Sequence, residues 1–206
     1  MIVILDTGLA NVGSVEKMLN KIGAQVEITA NSKLILGADA IIIPGVGSFD
    51  AGMERLKNLD SYSALNFMVL EKKIPVLGIC LGMQLMTKSS EEGTRTGLGW
   101  IDAETVRIDS SDCIVPNMGW RHVQPVGEQV LFPDVKSKEK FYFVHSYHVK
   151  CNQQSDVLTS TDYGNNFVSS FIRDNIVGVQ FHPEKSHMYG FAFFQRWIQY
   201  YNLVGK

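Results

Sequence analysis

Gly78-Ile-Cys80-Leu-Gly82 places a cysteine between two glycines, each two residues away. This is the sulfur counterpart of the G-x-S-x-G nucleophile elbow. At such an elbow the nucleophile sits on a sharp strand-to-helix turn, and side chains in place of the glycines would collide. A helix starting just after Cys80 puts partial positive charge near the sulfur. The chemistry this suits is covalent acyl transfer, and a sulfur nucleophile then needs a base. Of five histidines, His182 stands in Gln180-Phe-His182-Pro-Glu184, just after Ile176–Gln180, a run readable as a buried strand. Side chains two apart on an extended chain face the same way. Glu184 is therefore expected to hold the imidazole tautomer while the other ring nitrogen faces the sulfur. Pro183 has no N–H, so the strand ladder should stop there. A tetrahedral intermediate also needs oxyanion donors. Pro44-Gly45-Val46-Gly47 follows the apolar run Ala40–Ile43, and its glycines free the Val46 peptide to aim an N–H inward. The Leu81 N–H, next after the nucleophile, is the second expected donor.

Other chemistries find less support. His145 and His148, three apart on a strand, should point to opposite faces, and no cluster of cysteines or carboxylates joins them, so no metal site is expected. Cys113 and Cys151 lack an elbow and read as structural. Gly8 and Gly13 have the spacing of a phosphate loop, but Ser14 stands where its lysine should be, and no nucleotide cofactor is expected. Basic and acidic residues nearly balance, 19 against 21, for a net charge of −2, which gives no reason to expect nucleic acid or an anionic membrane surface as partner. No apolar run reaches the roughly 20 residues of a membrane helix. The start, Met1-Ile-Val-Ile-Leu-Asp6, lacks the basic residues and apolar length of a signal peptide. Three cysteines cannot all pair within one chain, so a reducing cytoplasm is the expected location.

These residues need a frame. With 206 residues, 45% hydrophobic and 19% charged, the chain reads as one α/β domain over 1–206. Ile2–Leu5 is a short apolar run suited to a buried strand. Val12, Val15, Leu19 and Ile22 share one helical face, and Gly23 is the stop. Val26–Ile28, Ala40–Ile43 and Pro75–Leu77 read as further strands. Asp50–Leu56 and Ser61–Lys72 read as helices, and Met83–Thr87 opens another. That alternation predicts a central parallel sheet with helices on both faces. Glu104–Ile108, His122–Pro125, Lys140–Val144, Val157–Thr161, Phe167–Arg173 and Ile176–Gln180 are short and turn-separated, and predict added antiparallel or mixed strands. Met188–Tyr201 closes the chain as a helix with Phe191, Phe194, Ile198 and Tyr201 on one face. The elbow, Pro44–Gly47 and His182–Glu184 all fall at the carboxyl ends of strands, the ligand-binding edge of open α/β sheets.

With these motifs stand others: Asp6-Thr-Gly-Leu-Ala-Asn11, Leu77-Gly-Ile-Cys-Leu-Gly-Met-Gln84, Ser90-Glu-Glu-Gly93, Pro116-Asn-Met-Gly-Trp120, Val144-His-Ser-Tyr147 and Gly178-Val-Gln-Phe-His-Pro-Glu-Lys185. In this set and order the chain resembles the class I (triad) glutamine amidotransferases, and within them the glutaminase subunits of imidazole glycerol phosphate synthases. The resemblance implies a flavodoxin-like, mostly parallel sheet and a triad of Cys80, His182 and Glu184 acting on L-glutamine without a cofactor. It implies glutamine contacts from Gly47, Gln84, Glu92, Ser146 and Tyr147. It further implies a separate (β/α)8 synthase or cyclase chain as heterodimeric partner, facing Asn11, Met118, Trp120 and Lys185 and receiving the ammonia. Two departures from that pattern concern the partner face. Asn117 stands where the family usually carries histidine, and Ser186-His-Met-Tyr-Gly190 follows Lys185 where small residues usually follow the serine. Alternatives stay open: a paralogue feeding ammonia to a sugar amidotransferase in surface-polysaccharide synthesis, a non-catalytic flavodoxin-like binding module, and an independent cysteine hydrolase of similar fold.

Overall fold

β1 (Ile2–Leu5) is four apolar residues, all buried. Alternation sends Ile2 and Ile4 into one hydrophobic cluster and Val3 and Leu5 into another on the opposite face. A strand apolar on both faces needs cover on both, and a parallel sheet between helical layers supplies it. The computed structural model describes all residues except 9, 110, 128–129, 134–138 and 204–206. Within Asp6–Asn11, only Leu9 lies outside the described residues. The chain continues through α1 (Val12–Ile22), β2 (Val26–Thr29), α2 (Ser32–Leu36), β3 (Ala40–Gly45), α3 (Phe49–Lys57) and α4 (Tyr62–Asn66). A π-helical turn, Phe67–Glu71, leads to β4 (Val76–Cys80) and the short α5 (Leu81–Leu85). Then come β5 (Ala103–Arg107), β6 (Asn117–His122), β7 (Gln124–Pro125), β8 (Lys140–His145), β9 (Tyr147–Cys151), β10 (Val157–Tyr163), β11 (Asn165–Arg173), β12 (Ile176–Val179) and α6 (His187–Tyr200).

The larger sheet runs β2-β1-β3-β4-β12-β11-β10-β7, with β9 also on β11 and β5 on β9. Its first five strands are joined by parallel pairings, in the flavodoxin-like order. From β11 onward the pairings are antiparallel. A separate two-stranded sheet, β6–β8, lies beyond. β3, β4 and β12 are neighbours, so the segments leaving their carboxyl ends are brought together. α1 and α6 cover one face, whereas α3, α4 and α5 cover the other.

Some expectations need correction. Ser61–Lys72 is not one regular helix, since it passes from α4 into the π turn. β6 occupies a stretch read only as a motif. On α6 the fully buried stripe is Phe193, Phe194, Trp197 and Ile198, with Phe191 and Tyr201 only half-buried. The stripe is rotated because Phe193 packs into a cluster of rings with Phe132, Phe141 and Phe181. Phe181 comes from the stretch just before His182, so this cluster also anchors the site. No described helix is long and apolar enough to cross a membrane.

Candidate active site

Cys80 ends β4 and caps α5 with φ 53° and ψ −109°, a backbone setting that costs an ordinary residue energy. The elbow glycines permit it. A Cβ on Gly82 would run into the Ile43 carbonyl, and one on Gly78 would stand 2.8 Å from the Gly82 backbone. β3, β4 and α5 therefore meet without side chains between them. Leu81, first in α5, has a backbone N–H with no acceptor inside the helix. Val46 lies just past β3, and Gly47 beside it has φ 106°, the left-handed region that favours glycine.

His182 and Glu184 are paired, but not as an extended chain would pair them. Pro183–Lys185 forms a single 3-10 turn, with His182 at its amino end. The turn brings Glu184 Oε1 to 2.7 Å from His182 Nδ1. Both side chains are nearly inaccessible to water, at 2% and 7% exposure. A fixed rail holds the turn. The His182 N–H donates to Tyr142 O on β8 at 2.9 Å. Buried Ser186 donates its hydroxyl to His182 O at 2.6 Å and accepts the Tyr142 N–H at 3.0 Å. The ladder of β12 ends at Val179, earlier than Pro183 requires.

Burial disfavours the imidazolium, but interactions with the Cys80 sulfur, and next with Glu184, outweigh it and raise the His182 pKa to about 10. His182 Nε2 itself is buried and makes no hydrogen bond of standard geometry. The sulfur lies 3.9 Å from Val144 O and 3.7 Å from the side-chain nitrogen of Gln180. A strongly basic imidazole is thus kept dry beside a cysteine of strained backbone.

Cys80 opens into a cleft of about 250 Å³, which also has Val46, Gly47, Leu81, Gln84, Glu92, Ser146 and Tyr147 in its walls. All five expected glutamine contacts are thus gathered around the sulfur, together with Val144 and His145. Glu92 accepts the Phe49 N–H at 2.7 Å, which ties its loop to the start of α3. Asp50 strengthens that tie, and the backbone N–H groups of Thr94 and then Arg95 hold its carboxyl below the usual range. Gln84 spends its nitrogen on Tyr147 O and on Gln180 Oε1, each at 3.0 Å, leaving its oxygen as the free acceptor. A larger groove of about 510 Å³, between α1 and α6, touches Glu184 but not the sulfur. His145 and His148 lie on separate strands, β8 and β9, not on one strand. Burial lowers the His145 pKa to about 3. Among the described residues no group of three or more His, Cys, Asp or Glu could hold a metal. Burial pushes the Cys151 thiol up to about 12.

Behind the triad candidates lies a small cavity shared by Asn11, Val46, His182, Glu184 and Lys185. Val46 thus walls both this cavity and the cleft. Met118 and Trp120 alternate outward on β6, 56% and 40% exposed. Trp120 stacks on His187 at 5.5 Å and meets Tyr142 edge-on. Lys185 Nζ lies 5.9 Å over the Tyr142 ring. Asn11 and Lys185 are exposed beside this patch. Asn117, by contrast, is fully buried and bonded to His145. Sequence reasoning missed Gln180 and Ser186, because nothing in a lone polar residue says which buried partner it will meet.

This sheet, with a cysteine elbow at its carboxyl edge and a His–Glu pair beside it, is the architecture of a known class. Residues 3–194 match the family "Glutamine amidotransferase class-I", and the chain belongs to that family. The imidazole glycerol phosphate synthase subunit HisH 2 of Methanococcus maripaludis is 47% identical over 200 residues, covering 97% of this chain and 99% of that one. Subunit HisH of Leptospira interrogans is 41% identical over 196 residues, 93% of this chain and 96% of its own. In fold, the chain is similar to the solved structure of PurLQS from Thermotoga maritima, with TM-score 0.76 at 14% identity over 97% of this chain and 97% of that chain.

Proposed function

We propose that this chain is the glutaminase subunit of an imidazole glycerol phosphate synthase and hydrolyses L-glutamine through a Cys80 thioester. The carrying observation is the strained Cys80 in its cleft, with the dry His182–Glu184 pair beside it. Cys80 gives its thiol proton to His182 Nε2, its Sγ attacks the side-chain amide carbon of glutamine, and the oxyanion that forms is met by the Val46 and Leu81 N–H groups. His182 passes its Nε2 proton to the departing nitrogen, and ammonia leaves a glutamyl thioester. Acylation removes the sulfur's contribution to the high His182 pKa, leaving burial to lower it against Glu184 alone. The imidazole is thereby freed to take a proton from water. That water attacks the thioester carbon, the bond to sulfur breaks, and glutamate leaves. In the cleft, Glu92 meets the α-ammonium, Gln84 accepts through its oxygen, and Gly47, Ser146 and Tyr147 complete the walls.

The partner is a separate (β/α)8 synthase chain that receives the ammonia for histidine biosynthesis, in a cytoplasmic heterodimer. Its docking face is the patch of Asn11, Met118, Trp120 and Lys185. Names and identities of the relatives support this reading. Asn117 no longer argues for another partner, because its side chain is buried. The second reading, a paralogue serving a sugar amidotransferase, keeps one favouring observation: Met188, in the divergent segment, is 73% exposed next to this patch. The test is ammonia release from glutamine by the chain with its candidate synthase and acceptor ligand, and by the chain alone. Strong stimulation is expected, on the order of 100-fold, which needs only a few kcal/mol of bias on the Val46 peptide. Cys80→Ala should lower turnover by on the order of 10⁴ or more. Undiminished turnover in that variant would end the thioester mechanism, and full activity of the chain alone would end the coupling. Delivery of ammonia only to a sugar amidotransferase would favour the paralogue.

A further inference from the structure

We propose that Gln180 is a further catalytic residue, donating a side-chain N–H to Cys80 Sγ with a polarity fixed by hydrogen bonds that run from the Tyr147 carbonyl through Gln84. The proposal rests on the reading of Cys80 as nucleophile. Gln180 is fully buried, and its backbone N–H is fastened to Ser169 O at 2.9 Å. An amide can be turned either way round, so its direction must be argued from its neighbours. A carbonyl oxygen only accepts. The Gln84 atom 3.0 Å from Tyr147 O must then be nitrogen. That nitrogen's second hydrogen points at the Gln180 amide, 3.0 Å away, so the atom it meets must be oxygen. Gln180 is left with its nitrogen toward the sulfur, at 3.7 Å.

The same carbonyl fixes the other branch. Tyr147 O takes the Nδ1–H of His145 at 2.8 Å. Nε2 of the neutral ring must then accept, and it does so from Asn117 Nδ2 at 3.0 Å. Burial keeps His145 from gaining the proton that would reverse this link. Each donor in the chain is thus committed, and the last one is aimed at Cys80. Beside His182, the sulfur also meets Val144 O, an acceptor that opposes negative charge there. A donor to sulfur gains strength when the sulfur is charged and loses it in the thioester. Gln180 therefore favours the charged sulfur during attack and again as the thioester breaks.

The test uses Gln180→Met and Gln180→Leu, both uncharged and both without the N–H. Leucine is the shorter of the two, which guards against loss of folding from a methionine that does not fit. The rate of iodoacetamide alkylation at Cys80, followed by mass spectrometry at one neutral pH, should fall about tenfold. In the complex with the candidate synthase, kcat for glutamine should fall about as much while KM stays within about twofold. A merely structural role would not slow alkylation in a folded variant, so wild-type alkylation rates would overturn the proposal whatever turnover does. Slowed alkylation in variants of a chain that, unmutated, hydrolyses no glutamine would uphold Gln180 and overturn the glutaminase reading.

Discussion

At the scale of single residues, the chemistry concentrates on His182. It is buried, which should keep it neutral, yet its two neighbours raise its pKa from 6.5 to about 10. Its proton is therefore held more tightly in the folded chain than in the unfolded one. The sign follows: this contribution to stability is complete below about pH 6.5 and is lost as pH rises through about 10. Comparing urea unfolding of the wild type with His182→Asn from about pH 6 to pH 10 isolates it, because lost packing does not vary with pH. The gap in unfolding free energy should narrow steadily as pH rises. A gap that stays constant, or that widens, would mean the folded chain does not hold this proton.

At the scale of elements, the site is an intersection of turns held by backbone. Ser186 is its least conspicuous support, joining the β8 backbone to the His182 carbonyl through one hydroxyl. Ser186→Ala leaves both groups buried without that partner and should cost about 1–3 kcal/mol of stability. It should also slow turnover, because the turn that presents His182 is then pinned to Tyr142 through the His182 N–H alone. Urea unfolding and glutamine turnover measured together check this, and unchanged values in both would show the rail to be dispensable. The elbow was legible from sequence because its glycines are demanded by contacts local to one strand and one helix. The His182–Glu184 pairing was legible too, although by an extended geometry that the 3-10 turn replaces. β6 was not, since its large apolar residues, Met118 and Trp120, point outward and leave no ordinary inward pattern. Gln180, Ser186 and Asn117 were illegible as site supports, because each acts through a partner distant in sequence. Only the closed sheet brings those partners into reach.

At the scale of the molecule, three adjacent parallel strands, β3, β4 and β12, deliver Val46, Cys80 and His182, the proposed oxyanion donor, nucleophile and base, to one edge. Glu92 arrives from a loop tied to α3, Ser146 from between β8 and β9, and Tyr147 from the start of β9. The cleft is therefore assembled by both faces of the sheet, while the exposed patch around Trp120 and Lys185 lies against the base. The proposed mechanism rests on one sulfur atom, that of Cys80, acting as a covalent nucleophile toward glutamine. The most direct check is mass spectrometry of the chain, bound to its candidate synthase, after exposure to a thiol-directed glutamine analogue with and without excess glutamine. One adduct is expected, on Cys80, and glutamine should slow its formation. An unlabelled chain, or labelling of Cys113 or Cys151 that glutamine does not affect, would show that Cys80 is not the nucleophile.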